Sequence, residues 1–263
     1  MDHSKEYILE KAGQIRKSKQ DFYFSNLYTL TQDPIVVAET EQAIAFAVQD
    51  RDVKRVFFSA ASPEALTEVL KQMPEKSGIE IMGRTLDERA KQAILDAGYG
   101  LFATYLRATN AKLKDTYSNN IPDRFKGIDL DSYITEPTEE QIDEIRALLY
   151  SKFRPLTSHI QTKEELAQQN REKCVLVSVR DGEIVTLLTH FRQGKKLYME
   201  HMINVGESER MHALYFKVLQ DAVDDGINYA YTWMRTDNTR AHAFAGRYGL
   251  VDDKMRNFVF EKA

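Results

Sequence analysis

The run Leu197-Tyr-Met-Glu-His201 places two titratable side chains next to each other in a β-rich segment. A carboxylate or an imidazole at such a place can take up or release a proton during a reaction. Because side chains alternate along a strand, Glu200 is expected on the face of Tyr198 and His201 on the opposite face. Glu200 is the candidate proton acceptor if the first face lines a cleft, and His201 is if the second does. A surface charge at Glu200 and a structural role for His201 are the alternatives.

Metal and disulfide chemistry are not expected. The histidines His190, His212 and His242 lack the HExxH or similar spacing of a metal site. Cys174 is the single cysteine, so it has no partner for an internal disulfide or a CxxC motif. It lies in an apolar run, which favours a buried structural thiol over a nucleophile.

The composition is that of an ordinary globular protein. The chain has 263 residues, 43% hydrophobic and 29% charged, and this length favours two domains. A net charge of −4 provides no field that would gather nucleic acid or an anionic membrane surface. No stretch approaches the roughly 20 apolar residues of a membrane span, and the N-terminus leads into no signal-peptide run. We therefore expect a cytoplasmic protein without a membrane or nucleic-acid partner, with a homodimer as one assembly it could adopt.

The first half alternates strands and helices after an amphipathic helix near residues 4–18. Ser62-Pro63 supplies an N-cap and a proline at the first helical position. Thr85-Leu-Asp-Glu88 forms a capping box for the next helix, which ends at Gly98. Residues 110–130 lose all periodicity. The strands are expected around Leu27–Leu30, Ile35–Ala38, Ala43–Val48, Val53–Ser59, Ile79–Met82 and Leu101–Leu106.

The second half opens with a predicted strand at Tyr133-Ile134. Helices are expected after the capping box Thr138–Gln141 and from Thr162. Asp181-Gly182 predicts a type I′ hairpin, and Ser208 is expected to cap a long amphipathic helix. The remaining expected elements are strands Cys174–Val179, Ile184–Phe191, Leu197–Val205, Tyr229–Met234 and Asn257–Phe260, and a helix Thr239–Arg247.

The same order of elements occurs twice along the chain. A strand, a helix, a strand, a helix, a glycine with a hydrophobic neighbour and a final strand follow one another in residues 53–106 and again in residues 197–260. This order indicates a duplication. We predict one domain at residues 1–115, a linker at residues 116–130, and a second domain at residues 131–263 with the main candidate site.

From Tyr133 to the end, the order β-α-α-β-β-β-α-β-α-β resembles the Gcn5-related N-acetyltransferase (GNAT) family. The first half resembles a partial copy of it. The resemblance implies an α/β fold of the α+β kind, with a mixed, mostly antiparallel sheet flanked by helices, in two related domains. It also implies acetyl-CoA or another acyl-CoA as acyl donor and a small-molecule or peptide amine as acceptor.

Two motifs carry the implied cofactor site. The family's phosphate-binding turn, Arg/Gln-x-x-Gly-x-Gly/Ala, opens a helix whose N-terminal amides receive the cofactor's phosphates, and the matching run here is 210–215. The family's closing signature begins Asn-x-x-Ala-x-x-aromatic, which 238–244 match. The resemblance thus implies cofactor contacts by Met202, Ile203, Asn204, Val205, Arg210, Met211, His212, Ala213, Leu214, Tyr215, Asn238, Ala241 and Phe244.

The resemblance further implies direct attack of an amine on a thioester. A base on the last strands of the meander serves this step, and Glu200 or His201 is suitably placed for it. Backbone amides of that strand would polarise the thioester carbonyl. The family's proton-donating tyrosine falls at Ala245 here, and Tyr248, three positions later, completes the catalytic candidates.

Two other functions fit the same residues. A non-catalytic protein of this fold would bind a ligand or a partner, in keeping with Tyr215 and Ala245 at motif positions. An aminoacyl-tRNA-dependent transferase resembling the Fem peptidyltransferases would also carry two such halves, although the acidic balance of the chain argues against it.

Overall fold

The computed structural model describes residues 4–18, 22–25, 33–117, 127 and 129–263. The described elements, in chain order, are α1 Lys5–Lys17, β1 Tyr23–Phe24, β2 Val36–Glu39, β3 Ala43–Asp50, β4 Val53–Ala60, α2 Pro63–Lys71, β5 Ser77–Gly83, α3 Glu88–Asp96, β6 Tyr99–Asn110 and α4 Leu113–Tyr117. They continue with α5 Ile142–Lys152, α6 Pro155–Ser158, α7 Lys163–Arg171, β7 Val175–Arg180, β8 Glu183–Gln193, β9 Lys196–Asn204, α8 Ser208–Asp224, β10 Tyr229–Arg235, α9 Thr239–Arg247 and β11 Val251–Lys262.

The chain divides into two compact units, residues 1–105 with 254–263, and residues 106–253. Each unit has a mixed, mostly antiparallel sheet flanked by helices, which confirms the predicted α/β fold class. The predicted domain bounds remain a prediction. The predicted strand at Leu27–Leu30 and most of the predicted linker 116–130 lie outside the described residues.

In the first unit the strand order is β2-β3-β4-β5-β11, and β4 and β5 are the parallel neighbours. Residues 54–56 of β4 pair with residues 77–79 of β5, and no later pair joins these two strands in the described parts of the chain. The edge of β4 beyond this point is covered by β1, which pairs with residues 59–60. Ser25 extends this cover, because its N–H donates to the Phe58 carbonyl (3.1 Å) and its Oγ accepts from the Phe58 N–H (2.9 Å).

Local signals set the helix starts of the first unit. The Ser62 hydroxyl accepts from the Ala65 N–H at 3.2 Å, and Pro63 occupies the first turn of α2, as predicted. Helix α3 is capped two residues later than expected. Asp87, rather than Thr85, accepts from the N–H groups of the first turn, because a carboxylate there also meets the positive end of the helix.

In the second unit the strand order is β10-β9-β8-β7, with β9 and β10 parallel and the other neighbours antiparallel. Strands β7 and β8 are joined at Asp181 and Gly182, whose φ angles of +53° and +84° are both positive, as a type I′ turn requires. The predicted hairpin is therefore confirmed.

Two other predictions for this unit are wrong. Residues 131–133 form a 3-10 turn in place of the predicted strand, because the Ile134 N–H bonds locally to the Asp131 carbonyl at 3.0 Å. The first sheet contact is a single bridge from Thr135 to Val177. Helix α8 begins at Ser208 itself, and Glu207 is its N-cap residue without a capping side-chain bond.

Helices cover both faces of the second sheet. Helix α8 buries its apolar stripe, including Leu214 and Leu219, against Leu188 of β8 and Leu197 of β9. Helices α5 and α7 cover the opposite face around Val177. Each buried leucine contributes about 1.5–3 kcal/mol, so the strand ends that carry the candidate site rest on a well-anchored frame. Among the described helices, none is long and apolar enough to cross a membrane.

Candidate functional site

Strands β9 and β10 separate after a short parallel ladder. Residues 196–198 of β9 pair with residues 229–231 of β10, and both strands then continue, to Asn204 and Arg235, with no further pairing between them in the described chain. The backbone edge of β9 beyond Tyr198 is thereby left without a neighbouring strand on that side. This divergence gives a ligand a way to reach backbone donors.

A β-bulge lies on β9 just beyond the last paired residue. Met199 pairs with His190, and His201 pairs with Thr189. Because His190 and Thr189 are adjacent in β8, Glu200 is an extra residue in β9 without a partner in the ladder. The bulge resets the alternation of side chains. Glu200 and His201 consequently both contact Thr189, and the prediction that they take opposite faces is wrong.

The Glu200 carboxylate is nearly buried, with its side chain 10% exposed. Its Oε2 atom accepts hydrogen bonds from the Gln161 amide, the Gln169 amide (3.3 Å) and the Thr189 hydroxyl (3.4 Å). No described residue bonds to Oε1 of Glu200. One oxygen is therefore held in place while the other can accept a proton. We call Glu200, Gln161, Gln169, Thr189 and His201 the Glu200 cluster.

His201 is fixed at both ring nitrogens. Nε2 lies 2.7 Å from the carbonyl of Ser158, and because a carbonyl can only accept, Nε2 carries the hydrogen. Nδ1 lies 3.1 Å from the Thr189 hydroxyl and 3.7 Å from Oε2 of Glu200. The ring also packs against Phe153, with 5.1 Å between ring centroids. These contacts favour a positioning role for His201.

An aromatic row approaches Glu200 on its own face of the sheet. The Tyr198 ring stacks on Tyr231 at 4.8 Å and meets the edge of Phe191 at 4.9 Å. Burial raises the pKa of Tyr231, the Arg107 charge opposes that rise, and the Glu200 charge adds to it. Glu200 is thus near enough to Tyr231, across the diverging strands, to act on it electrostatically.

A cavity of about 490 Å³, which we call the α8/α9 cavity, lies beside the end of β9, the start of α8 and the length of α9. Seven of its lining residues are among the predicted cofactor contacts: Met202, Asn204, Met211, His212, Asn238, Ala241 and Phe244. Asn238 also has a structural role, since its side chain accepts from the Ala241 N–H at 3.0 Å and caps α9. The predicted motifs therefore converge on one concave site.

No protein-family model matches this sequence, and no curated protein matches it. Solved structures do match. A GCN5-related N-acetyltransferase from Sphaerobacter thermophilus has a TM-score of 0.52 at 13% identity, covering 83% of this chain and 76% of that one. A putative acetyltransferase of the GNAT family from Novosphingobium aromaticivorans has a TM-score of 0.52 at 13% identity, covering 88% of this chain and 91% of that one.

A third similar structure is the glucosamine N-acetyltransferase region of a fungal multi-domain β-N-acetylglucosaminidase. Its TM-score is 0.55 at 10% identity, and the match covers 95% of this chain and 34% of the fungal one. At these identities a structural likeness is evidence of the fold. The chain has the fold of the GCN5-related N-acetyltransferases.

Arg210 is where this GNAT fold is expected to meet phosphate, yet its guanidinium is already engaged. Nε donates to Glu207 at 2.7 Å, and Nη1 donates to the Ser178 hydroxyl at 2.8 Å. The Arg210 hydrogen bond, together with a second from Arg180, lowers the pKa of Glu207 to about 2. Arg210 does not line the α8/α9 cavity. A carboxylate that stays ionised also stands at the start of α8, where an incoming phosphate would meet it.

The residues that replace the small motif positions lie in the core of the second unit. The Tyr215 side chain is 1% exposed, and its ring packs against Phe244 at 5.0 Å and Tyr248 at 4.3 Å. Tyr215 consequently leaves the α8/α9 cavity open. The other predicted contacts that do not line this cavity are Ala213 and Leu214 in the same core, Ile203 in the core of the opposite face, and the exposed Val205.

Tyr248 reaches the cavity through a second side chain. It is 2% exposed, and its hydroxyl is hydrogen-bonded to Nδ1 of His212, which lines the cavity. If the tyrosine donates this bond, the imidazole carries its hydrogen on Nε2. The pair joins a predicted catalytic residue to a predicted cofactor contact in this GNAT fold.

Sequence reasoning missed both cations of the cavity wall, Arg240 and Arg247. Neither has an ion-pair or hydrogen-bond partner among the described residues. They lie seven residues apart on α9 with Phe244 between them, so helical spacing could have placed all three on one face. The amides of Gln161 and Gln169 were also missed, and no local pattern marks them, because they meet Glu200 across 39 and 31 residues.

Proposed function

We propose that this chain is an acyl-CoA-dependent N-acyltransferase whose donor, acetyl-CoA or a longer acyl-CoA, binds in the α8/α9 cavity of the second unit. The observation that carries the proposal is the divergence of β9 from β10 directly beside that cavity. The GNAT fold of the similar structures supports it.

The cavity residues fit such a donor. Met202, Met211 and Phe244 offer apolar walls for a flexible thioester arm. Arg240 and Arg247 offer guanidinium groups, whose planar fork suits phosphate oxygens. In this proposal the phosphates are held chiefly from α9, because Arg210 is committed to Glu207.

The acyl-CoA supplies the thioester, and the residues of β9 act on it and on the amine. Backbone amides on the edge of β9 beyond Tyr198 polarise the carbonyl, a contribution of about 3–4 kcal/mol in comparable sites. Glu200 takes a proton from the incoming ammonium on Oε1 while Gln161 and Thr189 hold Oε2. The amine nitrogen then has the lone pair that it needs to attack the carbonyl carbon. The C–N bond forms, the C–S bond breaks, and the second proton that the nitrogen loses is released to solvent.

A proton must also reach the sulfur that leaves. His212 lines the cavity, and the Tyr248 hydroxyl fixes the orientation of its ring. We assign proton donation to His212 and the positioning of its ring to Tyr248. This assignment takes the place of the family's tyrosine, whose position is occupied here by the buried Ala245.

A non-catalytic ligand-binding protein is the second candidate. The specific observation that favours it is the ion pair between Glu207 and Arg210 at the start of α8, which sets a negative charge where the family binds phosphate. Such a protein would still use the α8/α9 cavity, and it would release no thiol.

Calorimetric titration with acetyl-CoA tests the shared first step. Ala241→Trp, which fills the α8/α9 cavity, should abolish binding, whereas Ala111→Trp, at an exposed position in the same unit, should leave it unchanged. A thiol-release assay with a panel of primary amines then separates the two candidates. Binding without release supports the second candidate, and the absence of binding by the unsubstituted protein refutes acetyl-CoA as the donor.

A further inference from the structure

Helix α9 presents an exposed cationic face beside the α8/α9 cavity. Arg240 and Arg247 line the cavity and are both exposed to solvent. Residues 238–251 contain no aspartate or glutamate, although the whole chain has a net charge of −4. Neither arginine has an ion-pair or hydrogen-bond partner among the described residues. The fold therefore leaves both guanidinium groups available to an external anion.

The spacing of the two arginines favours a partner helix over a small anion. They lie seven residues apart on α9, which is about 10 Å along the helix axis. Ala243 lies between them, and its small, exposed side chain lets another helix approach. Two carboxylates separated by two turns of a partner helix have the same spacing. Arginine is also the cation enriched at protein interfaces, because its guanidinium group is weakly hydrated.

The start of α8 is poorly suited to a donor with several phosphates. Glu207 stays ionised, because hydrogen bonds, chiefly from Arg210, lower its pKa to about 2. Arg180 bonds to Glu207 at 2.8 Å and lies 3.9 Å from Asp181, and Glu209 adds a third carboxylate in the first turn. Three carboxylates and two arginines leave no excess of positive charge there. A diphosphate gains little at this place from side-chain charge.

The α8/α9 cavity keeps what a pantetheine arm requires. Met202, Met211 and Phe244 supply apolar walls, and the cavity lies beside the diverging end of β9. Coenzyme A presents this arm with three phosphates and an adenosine, whereas a carrier protein presents the same arm on a serine through one phosphate. Both donors end in the same thioester. The charges at the start of α8 and on α9 favour the donor that combines one phosphate with a protein surface.

We propose that the preferred acyl donor is an acidic carrier protein, whose phosphopantetheine arm enters the α8/α9 cavity while an acidic helix of the carrier docks on Arg240 and Arg247. This inference rests on the proposed acyltransferase function and leaves its chemistry as it is. The amine forms the C–N bond, the C–S bond breaks, and the protonated thiol stays on the carrier's arm. Acyl-CoA is a weaker donor because it shares the arm and lacks the docking helix.

The test compares three donors that share one arm, with the full chain: the acidic acyl carrier protein of fatty-acid synthesis loaded with acetyl-phosphopantetheine, acetyl-CoA, and free S-acetylphosphopantetheine. Calorimetric titration at low salt should show the loaded carrier binding about tenfold more tightly than free S-acetylphosphopantetheine. This advantage should shrink as salt screens the charges. A carrier that binds no more tightly than the free arm would overturn the proposal.

Charge reversal then assigns the preference to α9. Replacing Arg240 and Arg247 together by glutamate should abolish the carrier's advantage over the free arm. Replacing Lys163 and Arg171 together by glutamate is the control, because both are exposed on α7 and the net charge changes equally. A carrier with lysines in the acidic helix beside its modified serine should bind the α9 variant better than the natural carrier does. Equal losses in the two double variants, or no rescue, would refute docking on α9.

The same donors distinguish failure of this inference from failure of the proposed function, when thiol release is measured beside binding. Thiol release from acetyl-CoA without a preference for the carrier refutes the carrier alone. Thiol release from the loaded carrier without any acetyl-CoA binding replaces acyl-CoA as the donor and supports the carrier. Preferred binding of the loaded carrier without thiol release from either donor refutes acyl transfer and leaves the docking surface on α9 in place.

Discussion

Both units contain a pair of diverging parallel strands, and they differ in whether another strand covers the exposed edge. In each, a strand is followed by a helix and a parallel strand, and the parallel ladder stops early, after residues 54–56 of β4 and after residues 196–198 of β9. In the first unit, β1 covers the edge of β4 beyond the ladder. In the second, the corresponding edge of β9 adjoins no strand of the described chain, and a cavity lies beside the strand end.

The comparison shows that diverging strands are a feature of the fold and are not sufficient to make a binding site. Diverging strands alone do not offer backbone donors to a ligand, because the N–H and C=O of Phe58 are both bonded to Ser25. The helix that follows β4 is likewise occupied, since Ser62 caps it and Pro63 lacks an N–H. We therefore expect ligand binding in the second unit, and the following changes test how far the contrast extends.

The strongest test concerns the residue two positions beyond each ladder, which is Phe58 in the first unit and Glu200 in the second. Glu200→Gln should lower turnover about 10²–10⁴-fold, because the base of the proposed reaction is lost, with acetyl-CoA affinity unchanged. Steady-state kinetics and calorimetry measure the two effects. Glu183→Gln, at an exposed position on β8, is the control. Full turnover by Glu200→Gln would remove this carboxylate from the mechanism.

The strands that pair with β9 and β4 differ in whether they carry a titratable residue just beyond the ladder. His190 pairs with Met199 just beyond the ladder, whereas Phe46 pairs with Phe57 at the equivalent place in the first unit. Burial, aided by the charge of Arg192, lowers the pKa of His190 to about 4. The unfolded chain takes up this proton below about pH 6.5, and the folded chain does so near pH 4. Stability should thus fall by up to about 3 kcal/mol as the pH drops through this interval.

Urea unfolding followed across that pH range checks the effect. His190→Phe should remove this share of the acid destabilisation, because phenylalanine binds no proton in either state. An unchanged pH dependence in His190→Phe would show that His190 is not the group responsible.

Removing one oxygen atom should weaken the segment that covers the edge of β4 in the first unit. Ser25→Ala removes the oxygen that accepts from the buried Phe58 N–H, and should reduce the free energy of unfolding of that unit by about 2 kcal/mol. Hydrogen exchange at the Phe58 amide should accelerate accordingly. Ser151→Ala, which removes an exposed hydroxyl bonded to the Leu148 carbonyl, is the control and should have little effect.

The smallest expected effect concerns the cations of the α8/α9 cavity. Replacing Arg240 and Arg247 together by alanine should weaken acetyl-CoA binding about tenfold, and should leave binding of S-acetylpantetheine, which lacks phosphates, unchanged. Arg210→Ala should change acetyl-CoA affinity less than the double variant, because its guanidinium is held by Glu207. A larger loss of acetyl-CoA affinity in Arg210→Ala than in the double variant would indicate that the phosphates bind at the start of α8.

Local signals predicted the elements well, and long-range pairing decided the rest. The turn at Asp181-Gly182 and the cap at Ser62 depend on neighbouring residues, so they could be read from the sequence. The bulge at Glu200 exists because of how β9 pairs with β8, and a sequence pattern cannot show such a register shift. The motif positions of Met211 and His212 could be predicted from neighbouring residues, and both residues line the cavity. The partners of Glu200 are distant in the sequence, so the structure alone identifies them.

The C-terminal strand has a consequence for biosynthesis. Residues 256–262 of β11 pair with residues 77–83 of β5, and Asn257 bonds to Glu80 across 177 residues of chain. During translation, the edge of β5 that pairs with β11 therefore stays exposed until every residue of the second unit has been translated. Such an edge invites pairing with other chains, so a nascent chain of this protein should depend on chaperone protection until its last strand emerges.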